Sequence, residues 1–338
     1  MMHISYNSKK HFEEIDGVQS DVYYHYTSLN AFYEIVTSRT FRLMSLKSSN
    51  DRAELYYSPD DFISDFKNID NLDEDVRFPE YHKQFIDCLD KHNDEFLKHF
   101  KFQKQPYAFC LSSKKDNLTH WDRYADRCTG VSIGLNVRAL DVFDNRMRLC
   151  GLGLGLFHMG PILYSKEDIM QQIRRDLLRI FYLLNYFKPH QKIEDTIREF
   201  GIDPLIPICL NVMDVAKKEA YCDEDEFRVY YEPKRIHEIL KSIDNLKGNI
   251  ENEIYNNLRK HYLEFVKSLN IRDEKFAVTG RGIRGYHELC LNEIWGSGVI
   301  PEVILGPMCV QNKGELRRFL DKNGLKGTKI IESSVPIR

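Results

Sequence analysis

Val22-Tyr23-Tyr24-His25-Tyr26-Thr27-Ser28-Leu29-Asn30-Ala31-Phe32-Tyr33-Glu34-Ile35-Val36 sets out the fold in one stretch. Its first part is aromatic and β-branched, with no glycine or proline, and predicts a strand over Val22–Tyr26. Its second part places Leu29, Phe32, Tyr33 and Val36 at i, i+3, i+4 and i+7, with Thr27 as the expected helix cap. A strand therefore runs straight into a helix, and a histidine leaves the strand where the two meet.

Other strand-like runs follow at Thr40–Ser45, Tyr107–Ser112, Val131–Leu135, Arg148–Leu156, Pro161–Tyr164, Phe227–Tyr231, Phe276–Thr279, Glu302–Gly306 and Thr328–Glu332. Helices separate some of these runs and not others. That irregular order predicts an α+β fold with a mainly antiparallel or mixed sheet, rather than a doubly wound parallel one. Ser165 with Asp168 spells a capping box before a periodic apolar run, and Asn312 with Glu315 starts a last helix that Asn323-Gly324 stops. Charged helical stretches near 60–102, 165–200 and 233–270 read as helical insertions on a single α+β domain spanning 1–338. The acidic run Asp70–Asp75 reads as a solvated loop.

Composition narrows the function classes. The chain has 338 residues, 42% apolar and 29% charged, enough to bury a sizeable core. A net charge of -3 gives no global basic field for nucleic acid, although a local patch remains open. The eight cysteines form no C-x-x-C and no histidine pair completes a zinc spacing, so reduced thiols and no metal are expected. The N-terminal Met1–Asp21 has no apolar core of a signal peptide, and Leu177–Phe187 is too short to span a bilayer. A cytoplasmic protein with no membrane partner is the expectation.

Several motifs carry candidate chemistry. His25 sits at a strand end, where its ring can bond a ribose hydroxyl or simply satisfy a carbonyl. Asn50-Asp51-Arg52-Ala53-Glu54 reads as a helix cap or as a polar turn beside a pocket. Trp121 and Tyr124 share a helix face that either packs into a core or walls an aromatic pocket. In Glu224-Asp225-Glu226-Phe227-Arg228, strand alternation puts Glu224, Glu226 and Arg228 on one face and Phe227 on the other. A surface ion pair is the structural alternative there. Gly280-Arg281-Gly282-Ile283-Arg284-Gly285 spells G-x-G-x-x-G, but no parallel βαβ unit follows it. It reads instead as a flexible loop whose Arg281 and Arg284 contact phosphates.

In this order, Tyr24–Thr27, Asn50 to Glu54, Trp121 to Gly130, Glu224 to Arg228 and Ile300 to Pro307 resemble a bacterial family catalogued as domain of unknown function 2971. Arg52 stands where that family often has proline. The family in turn resembles the ADP-ribosyltransferase fold, including toxin members that modify nucleic acid. The resemblance implies a split, mainly antiparallel sheet with NAD as substrate in a cleft between its halves. It implies catalytic roles for Glu226 and His25, and NAD contacts from His25, Tyr26, Thr27, Ser112, Trp121 and Tyr124. Tyr124 or Trp121 would stack on the nicotinamide. Glu224 would orient an acceptor, with Arg228, Arg281 and Arg284 also facing substrate. A protein or nucleic-acid acceptor and a role in antiviral defence or toxicity follow from the same resemblance. The alternative is a non-catalytic nucleotide- or nucleic-acid-binding module using that cleft.

The residue types suit NAD cleavage. Nicotinamide leaves as a neutral base and needs no general acid, so one carboxylate that stabilises the oxocarbenium-like ribose suffices. Glycoside hydrolases usually need two, because their leaving group must be protonated.

Overall fold

The computed structural model describes residues 22–46, 56–69, 77–98, 100, 106–140, 157–187, 195, 205–233, 235–248, 251–279 and 282–336. Ten strands form one open sheet: β1 (Val22–Thr27), β2 (Thr40–Ser45), β3 (Tyr107–Ser112), β4 (Val131–Asn136), β5 (Phe157–Pro161), β6 (Glu226–Tyr231), β7 (Lys275–Thr279), β8 (Gly282–Cys290), β9 (Glu302–Leu305) and β10 (Lys329–Glu332). The main path is β10-β9-β4-β1-β3-β2-β8-β7, with β6 on the other edge of β3 and β5 beyond it. Only β9–β10 is parallel among these pairs. The α+β class and the mainly antiparallel sheet are as the strand order predicts. The Asn50–Glu54 motif, the Asp70–Asp75 run, the Arg148–Leu156 run and Arg281 lie outside the described residues.

The sheet forks at β3. One edge of β3 pairs with β6 along its whole length, from Tyr107↔Tyr231 to Ser112↔Glu226. The other edge is shared. β2 takes Tyr107 and Ala108, and β1 meets β3 only at Tyr24↔Ser112. The main chain between those points faces a gap.

Alternation sends Tyr23, Phe41, Phe109, Leu111, Ile133, Phe227 and Val229 into one core. That core is closed by the helices α1 (Leu29–Ser38), α8 (Arg235–Asn245), α9 (Asn252–Ser268) and α10 (Lys313–Lys322), through Phe32, Val36, Ile243, Tyr255, Tyr262, Leu316 and Leu320. Ser28, rather than Thr27, caps α1: its side chain accepts from Ala31 N, because Thr27 is still paired in β1 with Val131. The Ser165 and Asn312 caps form as the sequence predicts, but the Asp168 carboxylate takes the Ser165 hydroxyl rather than its main-chain N–H, so the box is half made.

The helical insertions are not equivalent. α2 (Pro59–Lys67), α3 (Arg77–Lys91), α4 (Asn93–Lys98) and α6 (Lys166–Phe187) make a second core with α7 (Leu205–Val215). Phe62, Phe66, Phe78, Phe85, Phe96 and Phe181 are all buried there, each contributing about 1.5–3 kcal/mol by leaving water. The 233–270 stretch packs on the first core instead. The sequence reading assigns no helix to Leu205–Val215, where a nearly continuous apolar run blurs the helical period and Pro207 sits in the first turn.

A third, smaller cluster lies on the opposite face of β1: Tyr24, Tyr26, Ala125, Cys128, Ile304 and Trp121, the last on α5 (Leu118–Tyr124). Glycines let the chain close tightly here. A Cβ on Gly130 would sit 2.2 Å from the Thr27 carbonyl oxygen, and one on Gly306 would sit 2.4 Å from that of Cys128.

Candidate functional site

His25 occupies the fork. Its Nδ1 donates to the carbonyl oxygen of Cys110 at 3.0 Å, which fixes that tautomer. The bond stands in for a ladder bond at the stretch of β3 between its β2 and β1 pairings. The ring lies 4.5 Å from Phe109 and 6.0 Å from Phe41, centroid to centroid, on the side of the first core. Burial among these rings pushes the imidazolium down to about 4, so His25 is neutral at pH 7.

Glu226 faces the other way. Tyr24 pairs with Ser112 and Ser112 pairs with Glu226, so these three side chains share the face that His25 leaves. The expected convergence of His25 and Glu226 on one sugar is therefore corrected. Both reach Cys110, His25 through the carbonyl and Glu226 through the thiol, but from opposite faces. Thr27 has the parity of His25 and goes with it.

A buried charge cluster surrounds Glu226. Arg228 Nε donates to Glu226 Oε1 at 2.8 Å, and Lys217 Nζ reaches Glu226 Oε2 at 3.1 Å and Glu224 Oε2 at 2.7 Å. The side chains of Lys217, Glu226 and Arg228 are 4%, 6% and 1% exposed, against 16% for Glu224. The surface ion pair considered from sequence is thus a tetrad of two acids and two bases, with Lys217, Glu226 and Arg228 buried and Glu224 half-buried at its rim. Burial raises the Glu226 carboxyl, but Arg228 and Lys217 outweigh it and hold Glu226 below the ordinary carboxylate range. Glu224 reaches the tetrad from the end of a 3-10 turn, Glu219–Glu224, and Asp225 reverses the chain at φ 44 before β6 begins.

The expected aromatic wall divides. Trp121 is fully buried, donates Nε1–H to Asp116 at 2.6 Å and packs edge-on to Tyr26, so no ligand can stack on it as the fold stands. Tyr26 gives its hydroxyl to the carbonyl of Lys114 at 2.7 Å. Tyr124 is 46% exposed and donates to Glu224 Oε1 at 2.8 Å. Burial and the Glu224 charge raise its phenol well above the usual tyrosine range. Ser112 Oγ donates to the Glu224 carbonyl at 2.7 Å, so it braces the turn. The His120 ring bonds the same carbonyl at 3.2 Å and is held below its ordinary value by burial.

The proposed phosphate contacts also move. Arg228 is committed to Glu226 and lies 3.4 Å from the Asp214 carbonyl. Arg284 donates to the Ser45 carbonyl at 2.9 Å. The expected Gly280–Gly285 loop is mostly strand, because Gly282 onward pairs with β7 as an antiparallel hairpin, an arrangement incompatible with the dinucleotide fingerprint.

The sequence reading missed Lys217, Cys110 and Tyr164. Lys217 lies nine positions before Glu226 in an unpatterned stretch, and only the fold brings it in. Cys110 is the one exposed residue of β3, in line with Ala108 and Ser112. Tyr164 accepts the Glu226 main-chain N–H at 3.0 Å. Among the described residues no group of histidine, cysteine or acidic side chains is arranged to hold a metal ion, and no helix is long and apolar enough to cross a membrane. Comparison with family models, curated proteins and solved structures gave no match to this chain.

Proposed function

We propose that the protein cleaves NAD and transfers ADP-ribose to a macromolecule or to water, with Glu224 as the carboxylate that meets the ribose. The supporting observation is a salt-bridged acid pair beside the forked strand β3 of the antiparallel sheet, with its more accessible member, Glu224, bonded to Tyr124. Glu224 is held by Lys217 on one oxygen and Tyr124 on the other, so it is already oriented. A fixed carboxylate stabilises an oxocarbenium-like ribose without reorganising during the reaction. Glu226, whose charge is cancelled by two buried cations, becomes a positioning residue that holds Lys217 under Glu224. His25 ties β1 to β3 and does not touch the sugar.

One observation favours the non-catalytic module instead: each carboxylate oxygen of Glu224 and Glu226 already has a protein partner. Nicotinamide release from NAD separates the readings, measured with water, protein, RNA and DNA as acceptors. Turnover that falls at least ~100-fold in Glu224→Gln, with the fold retained, supports the transferase. Binding of NAD by calorimetry without release supports the module. Neither binding nor release removes both.

A further inference from the structure

Among the described residues β7 is one of three terminal strands of the sheet, with β10 and β5, and its hairpin with β8 exposes three large apolar side chains: Phe276 at 67%, Val278 at 85% and Ile283 at 72%. They lie on one face. Val278 is directly opposite Ile283, and Phe276 is opposite Gly285, where a Cβ would meet the Glu274 carboxylate first and the Phe276 ring only at 3.5 Å. Edge strands in native proteins are usually blunted by charge or proline. Here the only charge on β7 is Lys275 at its start, already bonded to Glu288 at 2.9 Å.

The main chain points the same way. Thr279 pairs with Gly282 across a two-residue connection, and such a closing pair exchanges both main-chain bonds. Alternation then turns the N–H and C=O of Phe276 and Val278 away from β8, toward the open edge. Among the described residues no strand covers that edge.

We propose that this edge joins two copies of the chain, through antiparallel β7–β7 pairing about a two-fold axis at Ala277. In that register Phe276 lies opposite the partner's Val278, and both have outward-pointing main-chain groups to exchange. Ala277 meets its own copy on the axis, where a small side chain suits the close approach. Lys275 falls opposite the partner's Thr279, so no like charges face each other. Ile283 and Val278 continue across the seam into the partner's Phe276, giving one apolar row in each direction. The three side chains carry roughly 350 Å² of contiguous apolar surface per copy, comparable to the largest patch of a typical monomer and often functional at that size. The paired main chain and flanking polar side chains add to this, toward the ~800 Å² per partner of a stable interface.

The test is sedimentation velocity of the full chain over a wide range of concentration, with hydrogen exchange on the same samples. The expected result is a dimer in which the Phe276 and Val278 amides are protected, and which Val278→Lys and Phe276→Lys each convert to monomer. Val310→Lys, at a site 97% exposed elsewhere, should leave the dimer intact. All these sites are solvent-facing, so the fold, checked by circular dichroism, should not change. A monomer at every concentration overturns the proposal, whether or not the hairpin then captures lipid vesicles. So does a dimer that survives both lysine variants.

Discussion

The two faces of the sheet at β3 use opposite means to fill the same kind of space. On the His25 face, Phe41, Phe109 and Phe227 pack together, and the imidazole beside them is kept neutral. On the Glu226 face, Lys217, Glu226 and Arg228 are buried as charges and, with the half-buried Glu224, satisfy one another. The contrast teaches that a histidine and an acid can approach a single residue, Cys110, without sharing a site. Which face a side chain occupies decides its chemistry more than its distance does.

The largest effect is expected on the charged face. Arg228→Met leaves Glu226 buried with Lys217 alone and should cost about 3–5 kcal/mol, read by urea unfolding. The double variant Arg228→Met/Glu226→Leu should recover much of that loss, since an apolar pair avoids the desolvation of two ions. If the single variant is as stable as wild type, the tetrad is not buried as described and the contrast fails.

A smaller effect belongs to the apolar face. The folded value of His25 lies near 4, below its ordinary 6.5, so the unfolded chain binds the extra proton between those values. Stability from this group is therefore full above pH 6.5 and is lost as pH falls toward 4. The loss should be about 2 kcal/mol and should vanish in His25→Asn, compared by urea unfolding at pH 7 and pH 4.5. A slope that persists unchanged in the variant assigns the pH dependence to carboxylates instead.

The smallest effect falls between the faces. Cys110→Ala keeps the carbonyl that His25 bonds and removes only the thiol near Glu226, so less than about 1 kcal/mol should be lost. A larger loss would show that the thiol matters to the tetrad more than its exposure indicates.

Much of this was legible in the sequence because it depends on local periodicity. Most strands, the Asn312 and Ser165 caps, and the shared face of Glu226 and Arg228 follow from spacing alone. What was not legible depends on register. Strand alternation fixes relative faces within β1 and within β6, but only the pairings of Tyr24 with Ser112 and Ser112 with Glu226 set one strand's parity against the other's. All of β8 was hidden, because its glycines and arginines read as a loop and only the pairing with β7 and β2 makes it a strand. Lys217 carries no local signal at all, because its role exists only once the end of α7 is brought against β6.

The close approach at Gly130 and Gly306 has a mechanical consequence. With the Thr27 and Cys128 carbonyls where a Cβ would stand, a side chain at Gly130 or Gly306 would lever the segment joining α5 to β4 away from its neighbours, and α5 with Tyr124 along with it.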